Sequence, residues 1–462
     1  MKSDLVSKAG AFDGKGVKFL FILYSGIIIY GLCYYVYRSE FLLAFDVNEA
    51  WNLSQVLRWN NANELYPKLD SLIINNYPPL YFVILDIYRS DPISMLLFGR
   101  YLSIISTLII GASLFISARI AGYTIISASF GALWYLQNIL ITAPYYVGMN
   151  DPSLFATSIM AISATLFLAI KGERQFVYIP ISLQVFGGFI KHNIVTIPLL
   201  CLLKYANTAR RTRADLTFYV GISLFLILGG FLLCYAFFGS TFFEQLLFPR
   251  NISFLRGFRG WEELPWDALL LTIFIISRLK LRQLFREEIL AFAISFIIFF
   301  LQKMGDGVSR NASFELEIIL GLIVIKYFDN FIREHAKSNN IFSSYFFLVF
   351  FFKLLIAAAV SPLPNLLSDN FRQDIKDRNE IAEKEISRVE LLTGNTSCSI
   401  SLICALAGKP LVIDNFAVDQ KIKLNFLNKD QIPGIVSKNE IKTEQIDNRA
   451  QWPKKFKIIE LN

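Results

Sequence analysis

Runs of about 20 apolar residues recur along the chain from residue 18 to about residue 360. A run of this length spans the hydrocarbon of a bilayer as a single α-helix, because a helix satisfies its own backbone hydrogen bonds. The chain is 54% hydrophobic and has 43 Phe among its 462 residues, which agrees with an integral membrane protein and not with a soluble enzyme. The sequence therefore predicts an α-helical polytopic membrane protein.

About eleven spans are predicted from these runs. They cover residues 18–37, 92–118, 122–142, 153–170, 176–190, 192–206, 216–238, 266–279, 288–302, 314–327 and 341–360. No small-residue cleavage site follows the first span, so we interpret it as an uncleaved signal anchor. The net charge of +8 comes from Lys and Arg clusters between spans and predicts topology, not nucleic-acid binding. The distribution of these clusters predicts a multi-pass protein of the plasma (inner) membrane, with a cytoplasmic N-terminus and residues 361–462 outside.

The composition changes after SPLPN (361–365), which predicts two domains. Residues 1–360 form the transmembrane domain, and residues 361–462 form a small extracytoplasmic α/β domain. In the second domain we expect helices over 366–393 and 400–408 and strands over 410–413, 432–436 and 455–461. Because Cys398 and Cys404 are six residues apart within a predicted helix, we expect two free thiols.

The first outer loop, residues 38–91, contains the motifs FDVNEAWN (45–52) and NNYPPLYF (75–82). Its many aromatic residues predict short amphipathic helices that lie on the membrane surface. Asp46 and Glu49 are three residues apart, so both carboxylates can point at one bound molecule. Alternatively, Asp46 caps a helix and Glu49 completes a capping box. Asp151 precedes Pro152 in NDPS and raises the same choice between a site residue and an N-cap.

Several basic residues are candidates for binding a phosphate. Lys191 and His192 lie between two short spans at the outer face, where they either contact a phosphate or extend to the lipid headgroups. Arg100 lies inside a span and therefore needs a partner. The third outer loop, residues 239–265, has three arginines that bind either a lipid phosphate or anionic headgroups. They are Arg250, Arg256 and Arg259.

With these motifs in this order, the chain resembles the bacterial membrane glycosyltransferases of the GT-C fold. It is most similar to the family 39 group, which includes protein O-mannosyltransferases and the lipid A aminoarabinose transferase. The matching segments are DVNEAWN, YPPLYF, GRYLSIIS, NDPSLFA, FIKHNIVTIPLL, GDGVSRNASFELEIILGL and ALAGKPLVIDNFAVDQ. In many relatives the two acids of the first loop are adjacent, whereas here Val47 and Asn48 separate them, which leaves the role of Glu49 open.

The resemblance implies inverting transfer of a sugar from a polyprenyl-phosphate donor, with Asp46 as the catalytic carboxylate. The acceptor would be a hydroxyl or amine of an extracytoplasmic molecule such as a cell-envelope glycan, a glycolipid or a protein. Asp151 would be the second acid, and Lys191 would contact the donor phosphate. The predicted catalytic residues are Asp46, Glu49 and Asp151. The predicted substrate-binding residues are Tyr77, Arg100, Lys191, His192, Arg256, Arg259, Asn311 and Glu315.

Two other function classes fit a chain of this composition. A transporter or flippase of lipid-linked glycans needs broken or polar helices near mid-bilayer and related halves, and we detect no internal repeat. A non-catalytic scaffold leaves the acidic motif around Asp46 unexplained. No metal-binding pattern is present in the sequence, although Asp46 and Asp151 would share a divalent cation if they converge.

Overall fold

The computed structural model describes residues 14–171, 173–207, 212–263, 287–335 and 368–453. The described part of the chain is mostly helical, and thirteen of its α-helices precede residue 336. They are α1 (Gly14–Ser39), α2 (Val47–Ala62), α3 (Leu80–Leu85), α4 (Pro92–Ile120), α5 (Ile125–Thr142), α6 (Pro152–Ala169), α7 (Tyr178–Ile190), α8 (Thr196–Ala206), α9 (Arg213–Phe238), α10 (Ser240–Leu246), α11 (Phe254–Arg259), α12 (Glu287–Lys303) and α13 (Phe314–His335).

Among the described residues, five helices are long and apolar enough to cross a membrane. They are Phe21–Ser39 of α1, α4, α5, α6 and α9. α7 and α8 are apolar but shorter. Each of these helices falls on a predicted span, and they support a multi-pass membrane protein. The count of about eleven spans stays a prediction, and the predicted spans 266–279 and 341–360 lie outside the described residues.

Helices α4, α5, α6 and α13 pack against one another and form the centre of the helical bundle. The buried face of α4 is rich in Gly, Ser and Thr, which let neighbouring helices approach closely. Ser117 of α4 lies 2.9 Å from Thr165 of α6, hydroxyl to hydroxyl. In contrast, α9 exposes large apolar side chains such as Phe225 and Leu232. A membrane would cover this apolar surface.

The first outer loop lies between the bundle and the C-terminal segment. Its helix α2 packs against α4 on one side and against residues Ser401–Leu406 on the other. The expectation that its aromatic residues face the membrane surface is wrong for Tyr66 and Tyr81, which are buried in the core. The loop is therefore sandwiched between two layers of protein, and this position decides where its motifs point.

The described C-terminal residues, 368–453, form four helices, two short 3-10 turns and one small sheet. These helices are α14 (Asp369–Glu390), α15 (Ser401–Leu406), α16 (Asn415–Lys423) and α17 (Ile432–Lys438), with 3-10 turns over Lys429–Gln431 and Asn448–Ala450. The strands β1 (Thr396–Cys398) and β2 (Lys442–Glu444) pair in parallel, with Ser397 opposite Thr443. The predicted domain boundary near residue 360 lies outside the described residues.

The expectation of two free thiols is wrong, because Cys398 and Cys404 form a disulfide. Cys398 is not part of a helix: it ends β1, and the chain turns before α15 begins at Ser401. This turn brings the two Cα atoms to 5.7 Å, a separation that a disulfide can bridge.

Two predicted strands of the C-terminal segment are also wrong. Residues 432–436 lie in helix α17, which follows a capping box between Asn428 and Gln431 and has Pro433 in its first turn. Residues 410–413 form no strand, and the carbonyl of Leu411 instead accepts a hydrogen bond from Arg58 of the first outer loop. The predicted strand 455–461 lies outside the described residues.

Candidate active site

Asp46 is the N-cap of α2, as one of the two interpretations of the sequence predicted. Its backbone is extended, and its carboxylate accepts a hydrogen bond of 2.9 Å from the backbone N–H of Asn48. The Glu49 carboxylate does not complete a capping box on Asp46, because it accepts from the N–H of Phe45, 3.1 Å away. Asp46 itself is only half-buried. Capping uses one oxygen in this geometry, so the cap does not exclude a chemical role for the other.

Glu49 and Arg100 form an ion pair inside the protein. Nε and Nη2 of Arg100 each lie 2.7 Å from one oxygen of the carboxylate, and both side chains are 0% exposed. Arg100 also donates to the backbone carbonyls of Ser39, Phe41 and Leu43. The expectation that Arg100 needs a partner is therefore confirmed. Both side chains are buried against each other, and the catalytic role predicted for Glu49 and the substrate contact predicted for Arg100 stay predictions.

The same carboxylate connects the two acidic segments of the outer face. One Glu49 oxygen accepts from the N–H of Phe45, and the other accepts from the N–H of Asn150 at 3.3 Å. Asp46 and Asp151 directly follow these two residues in the chain. Glu49 therefore sets the distance between the backbones that carry both aspartates.

The Asn150 side chain packs against Gly99 of α4, where a larger residue would not fit. A Cβ at Gly99 would lie 2.0 Å from Oδ1 of Asn150. This amide oxygen accepts a hydrogen bond of 2.6 Å from the hydroxyl of Tyr81, and the Asn150 carbonyl accepts one of 2.9 Å from Asn52. The backbone before Asp151 is thus held by α4, α2 and α3 together.

A buried polar cluster surrounds Asp151, which caps α6 as predicted. Its carboxylate accepts from the backbone N–H of Ser153 at 2.8 Å and from the Ser153 hydroxyl. The Lys191 ammonium lies 2.5 Å from Ser153 Oγ and 3.8 Å from Asp151. Asn311 donates its side-chain N–H to the same hydroxyl at 3.2 Å. Ser153 therefore uses its one donor and both acceptor positions, and it joins three predicted site residues.

The Tyr77 ring covers Lys191, and Trp51 packs against Tyr77. Its Nζ lies 4.7 Å from the centroid of the Tyr77 ring and 3.4 Å from the Tyr77 hydroxyl. The Trp51 ring packs edge-on against Tyr77, with 4.9 Å between centroids. The indole N–H of Trp51 donates to Asp414 of the C-terminal segment at 3.2 Å. The structure thus brings together two of the predicted substrate-binding residues, Tyr77 and Lys191.

Asp46 and Asp151 influence the same hydroxyl group. Tyr146, in the loop between α5 and α6, is buried, and burial raises the pKa of its hydroxyl well above the ordinary value of 10.0. The negative charges of Asp151 and Asp46 raise this pKa further. Both carboxylates therefore lie within electrostatic reach of this one hydroxyl group.

The third outer loop takes part in a different network. Arg256 forms an ion pair of 2.6 Å with Asp306, which also accepts from Gln420 at 2.9 Å and Lys423 at 3.0 Å. Burial raises the pKa of Asp306, but the three donors outweigh it and lower the pKa to about 2. Arg259 is exposed at the end of α11. Arg256 is therefore occupied by a protein carboxylate, and its role as a substrate contact, like that of Arg259, stays a prediction.

Glu315 is not placed for a substrate contact either. Its buried carboxylate accepts from the backbone N–H groups of Thr196 and Ile197 at 3.0 and 2.8 Å and so caps the start of α8. His192, in contrast, is exposed and lines a cavity of about 340 Å³ between α7, α8 and α9. The side chains around the cavity are mostly apolar, among them Phe189 and Phe231.

This apolar cavity begins beside the polar cluster. His192 and Pro78 both line it, and each is the direct chain neighbour of a cluster residue, Lys191 and Tyr77. The polar cluster and the apolar cavity therefore share an edge. Among the described residues, no group of three or more His, Cys, Asp or Glu side chains is arranged to hold a metal ion.

Two residues of the site were missed in the sequence. Ser153 and Tyr146 connect the predicted acids and bases, but single Ser and Tyr residues beside apolar helices carry no pattern of their own. The position of Ser153, two residues after a capping Asp, does predict a backbone hydrogen bond to the cap. It does not predict that the hydroxyl also meets Lys191 and Asn311.

Comparisons with known proteins identify two similar solved structures. No family model matches the chain, and no curated protein matches it. The crystal structure of ArnT from Cupriavidus metallidurans bound to undecaprenyl phosphate is 14% identical, with a TM-score of 0.49 over 90% of this chain and 80% of that chain. The apo structure of the same ArnT is 16% identical, with a TM-score of 0.47 over 86% of this chain and 74% of that chain.

Both neighbours are GT-C fold lipid A aminoarabinose transferases, the group that the sequence motifs resemble. At this level of likeness, the function has to be derived from the residues of the chain itself.

Proposed function

We propose that this chain is an inverting glycosyltransferase that uses a polyprenyl-phosphate sugar as donor. The sugar moves to a hydroxyl or amine of an extracytoplasmic acceptor, such as a cell-envelope glycan or a glycolipid. The observation that carries the proposal is the position of Lys191. Its buried ammonium lies in a polar cluster with Asp151 and Ser153, and its chain neighbour His192 lines an apolar cavity between membrane helices.

A polyprenyl phosphate has the two chemical parts that these two surfaces bind. The phosphate pairs with the Lys191 ammonium, and the prenyl chain lies in the cavity beyond Pro78 and His192. The distance of 3.8 Å from Lys191 to Asp151 is long for an ion pair, so one N–H of the ammonium can turn to a phosphate oxygen. Oδ1 of Asn311 has no hydrogen-bond partner among the described residues, and it is available to a sugar hydroxyl.

The transfer is a single displacement at the anomeric carbon. The acceptor oxygen or nitrogen forms a bond to this carbon while the bond from the carbon to the phosphate oxygen breaks, which inverts the configuration. The acceptor's proton passes to the Asp46 carboxylate, which acts as general base. The bonding electrons leave with the phosphate, and Lys191 stabilises the charge that develops there. Asp151 and Ser153 hold Lys191 at this place.

The disulfide supports an extracytoplasmic site. Disulfides persist in oxidising compartments such as the bacterial periplasm, so residues 361–462 are proposed to form an extracytoplasmic domain. The indole of Trp51 donates to Asp414 of this domain, and the site therefore lies on the same side of the membrane. Residues 1–360 then form the catalytic transmembrane domain, with the start of α1 at the cytoplasmic side.

The test compares Asp46→Asn with Asp91→Asn in cells that lack the native gene. Asp91 is a matched control because it is an N-cap in the same loop and accepts from Ile93 in the way that Asp46 accepts from Asn48. Asparagine also caps helices, so both variants are expected to fold. Mass spectrometry of membrane lipids and surface glycans reads out the transferred sugar.

Loss of a general base is expected to lower the transfer at least about 100-fold in Asp46→Asn, with Asp91→Asn at the wild-type level. Purified Asp46→Asn should still bind undecaprenyl phosphate, and Lys191→Met should not. Wild-type transfer in Asp46→Asn would refute the assignment of the base. Movement of lipid-linked glycan across proteoliposomes without any chemical change would favour a transporter instead.

A further inference from the structure

Helix α16 of the C-terminal segment is attached to three outer loops. Phe416 packs against Gly307 of the fourth outer loop (residues 303–313), where a Cβ would lie 2.4 Å from its ring. Gln420 accepts from the N–H of Asn251 in the third loop at 3.0 Å and donates to Asp306 of the fourth. Lys421 and the N-cap Asp414 contact the first loop, and these two contacts lead to the candidate active site.

Lys421 of α16 holds a segment of the first loop, residues 68–77, which begins with a turn and which we call the strap. The side chain is 2% exposed, and its ammonium donates to the backbone carbonyls of Leu69, Ser71 and Ile73. An ammonium has three N–H donors, so it can bind all three carbonyls. The carbonyl of Leu72 accepts from the backbone N–H of Asp414 at 3.0 Å.

The strap is fixed at its other end as well and finishes at Tyr77. The backbone N–H of Asn75 donates to Gln245 of α10 at 2.8 Å, and its side chain donates to the carbonyl of Leu65 at 3.0 Å. The Asn75 side-chain oxygen accepts from the N–H of Tyr77 at 3.2 Å, and the Tyr66 hydroxyl donates to the Tyr77 carbonyl at 2.9 Å. The strap therefore fixes the position of Tyr77.

The Trp51 ring, which packs on Tyr77, is also held from the C-terminal segment. Asp414, the N-cap of α16, accepts from Phe416 and Ala417 with Oδ1 and from the Trp51 indole with Oδ2. Trp51 packs on Tyr77, and Tyr77 packs on the Lys191 ammonium. A continuous row of contacts thus connects the end of α16 with the cation of the site.

We propose that Lys421 and Asp414 are positioning residues, which hold Tyr77 over Lys191 through the strap and through Trp51, so that Lys191 is preorganised for the donor phosphate. The proposal rests on the proposed function, because it gives Lys191 the donor phosphate as its ligand. The physical reason is preorganisation: rings fixed before binding exclude water from the ammonium and leave less disorder to remove when the ligand arrives.

The first test measures the strap directly and needs no activity. Lys68 is exposed, so trypsin can cut the bond between Lys68 and Leu69 once the strap opens. In the purified full-length protein, Lys421→Met is expected to be cut there at least about 10-fold faster than wild type. Lys429→Met is the matched control, since this lysine of the same segment is exposed and distant from the strap. Mass spectrometry identifies the fragments.

The second test measures binding of undecaprenyl phosphate by the same proteins. Lys421→Met and Trp51→Phe are expected to bind about 10-fold more weakly than wild type, and Lys429→Met unchanged. Asp414 separates the cap from the bond to the indole. Asp414→Asn keeps an oxygen for the cap but turns an N–H donor toward the Trp51 indole, so it and Asp414→Ala should both bind about 10-fold more weakly than wild type.

Unchanged cleavage in Lys421→Met would overturn the proposal, because the strap would then not depend on this residue. Faster cleavage of Lys421→Met together with wild-type binding of undecaprenyl phosphate would also overturn the proposal, because Lys421 would then hold the strap without affecting the site. A wild-type protein that binds no undecaprenyl phosphate would refute the donor assignment, and the cleavage rates would still decide whether α16 holds the strap.

Discussion

The buried pair of Glu49 and Arg100 gives the sharpest prediction for the protein. Glu49→Gln removes the negative charge from a pair whose two side chains are 0% exposed. The guanidinium stays buried without a counter-charge, and breaking such a pair costs about 3–5 kcal/mol of unfolding free energy. The new amide also carries two N–H groups, so it opposes one of the backbone donors that Glu49 accepts from, Phe45 or Asn150. We therefore expect a loss in this range.

The free energy of unfolding is measured by denaturant titration in mixed micelles, with tryptophan fluorescence as the signal. Asp369→Asn is the control, because Asp369 and Arg372 form an exposed surface pair, whose loss should cost less than about 1 kcal/mol. Sugar transfer should fall by at least about 100-fold in Glu49→Gln, since the backbones before Asp46 and Asp151 lose their common acceptor. Equal losses of stability in the two variants, or wild-type transfer in Glu49→Gln, would refute the reasoning.

Three further variants test other parts of the structure. Because the pKa of Asp306 is low, its network contributes about 2 kcal/mol to the unfolding free energy above about pH 4 and less as the pH falls to 2. Unfolding titrations should therefore show Asp306→Asn less stable than wild type at pH 6 and equally stable near pH 2. Replacing both disulfide cysteines by serine should lower the unfolding free energy by about 2 kcal/mol, as expected for so short a loop, and wild-type stability would contradict this. Gly99→Ala should displace Asn150, cost about 1–3 kcal/mol and reduce transfer, whereas Gly26→Ala, with open space around it, should do neither.

Long apolar elements of the fold were predictable from the sequence, and short ones were not. The prediction of a span over 92–118 corresponds to Pro92–Ile120, because a long apolar run preceded by a capping Asp has one stable solution. The five residues IPGIV (432–436) are too few to separate the period of a strand from that of a helix. The C-terminal disulfide could not be predicted for a related reason: it depends on a turn that begins directly after β1.

The site was predictable in its charged residues but not in its connections. The sequence pattern predicted Asp46 and Asp151 as helix caps, and it predicted that Arg100, which lies inside an apolar span, has a partner. The identity of that partner depends on packing, because Glu49 lies 51 residues earlier in another element. Tyr146 is one of 20 tyrosines and Ser153 is one serine after a cap, so their roles appear only when the helices are assembled.

The hydrogen bond between Trp51 and Asp414 joins residues that are 363 positions apart. A bacterial ribosome adds about 5–20 residues per second, so Trp51 exists for about 20–70 s before its acceptor is synthesised. During that interval the membrane already contains α1 and α2 but no finished cover for Lys191. On the proposed function, a growing or truncated chain would therefore bind the lipid carrier more weakly than the finished protein, and transfer would reach its full rate only when translation is nearly complete.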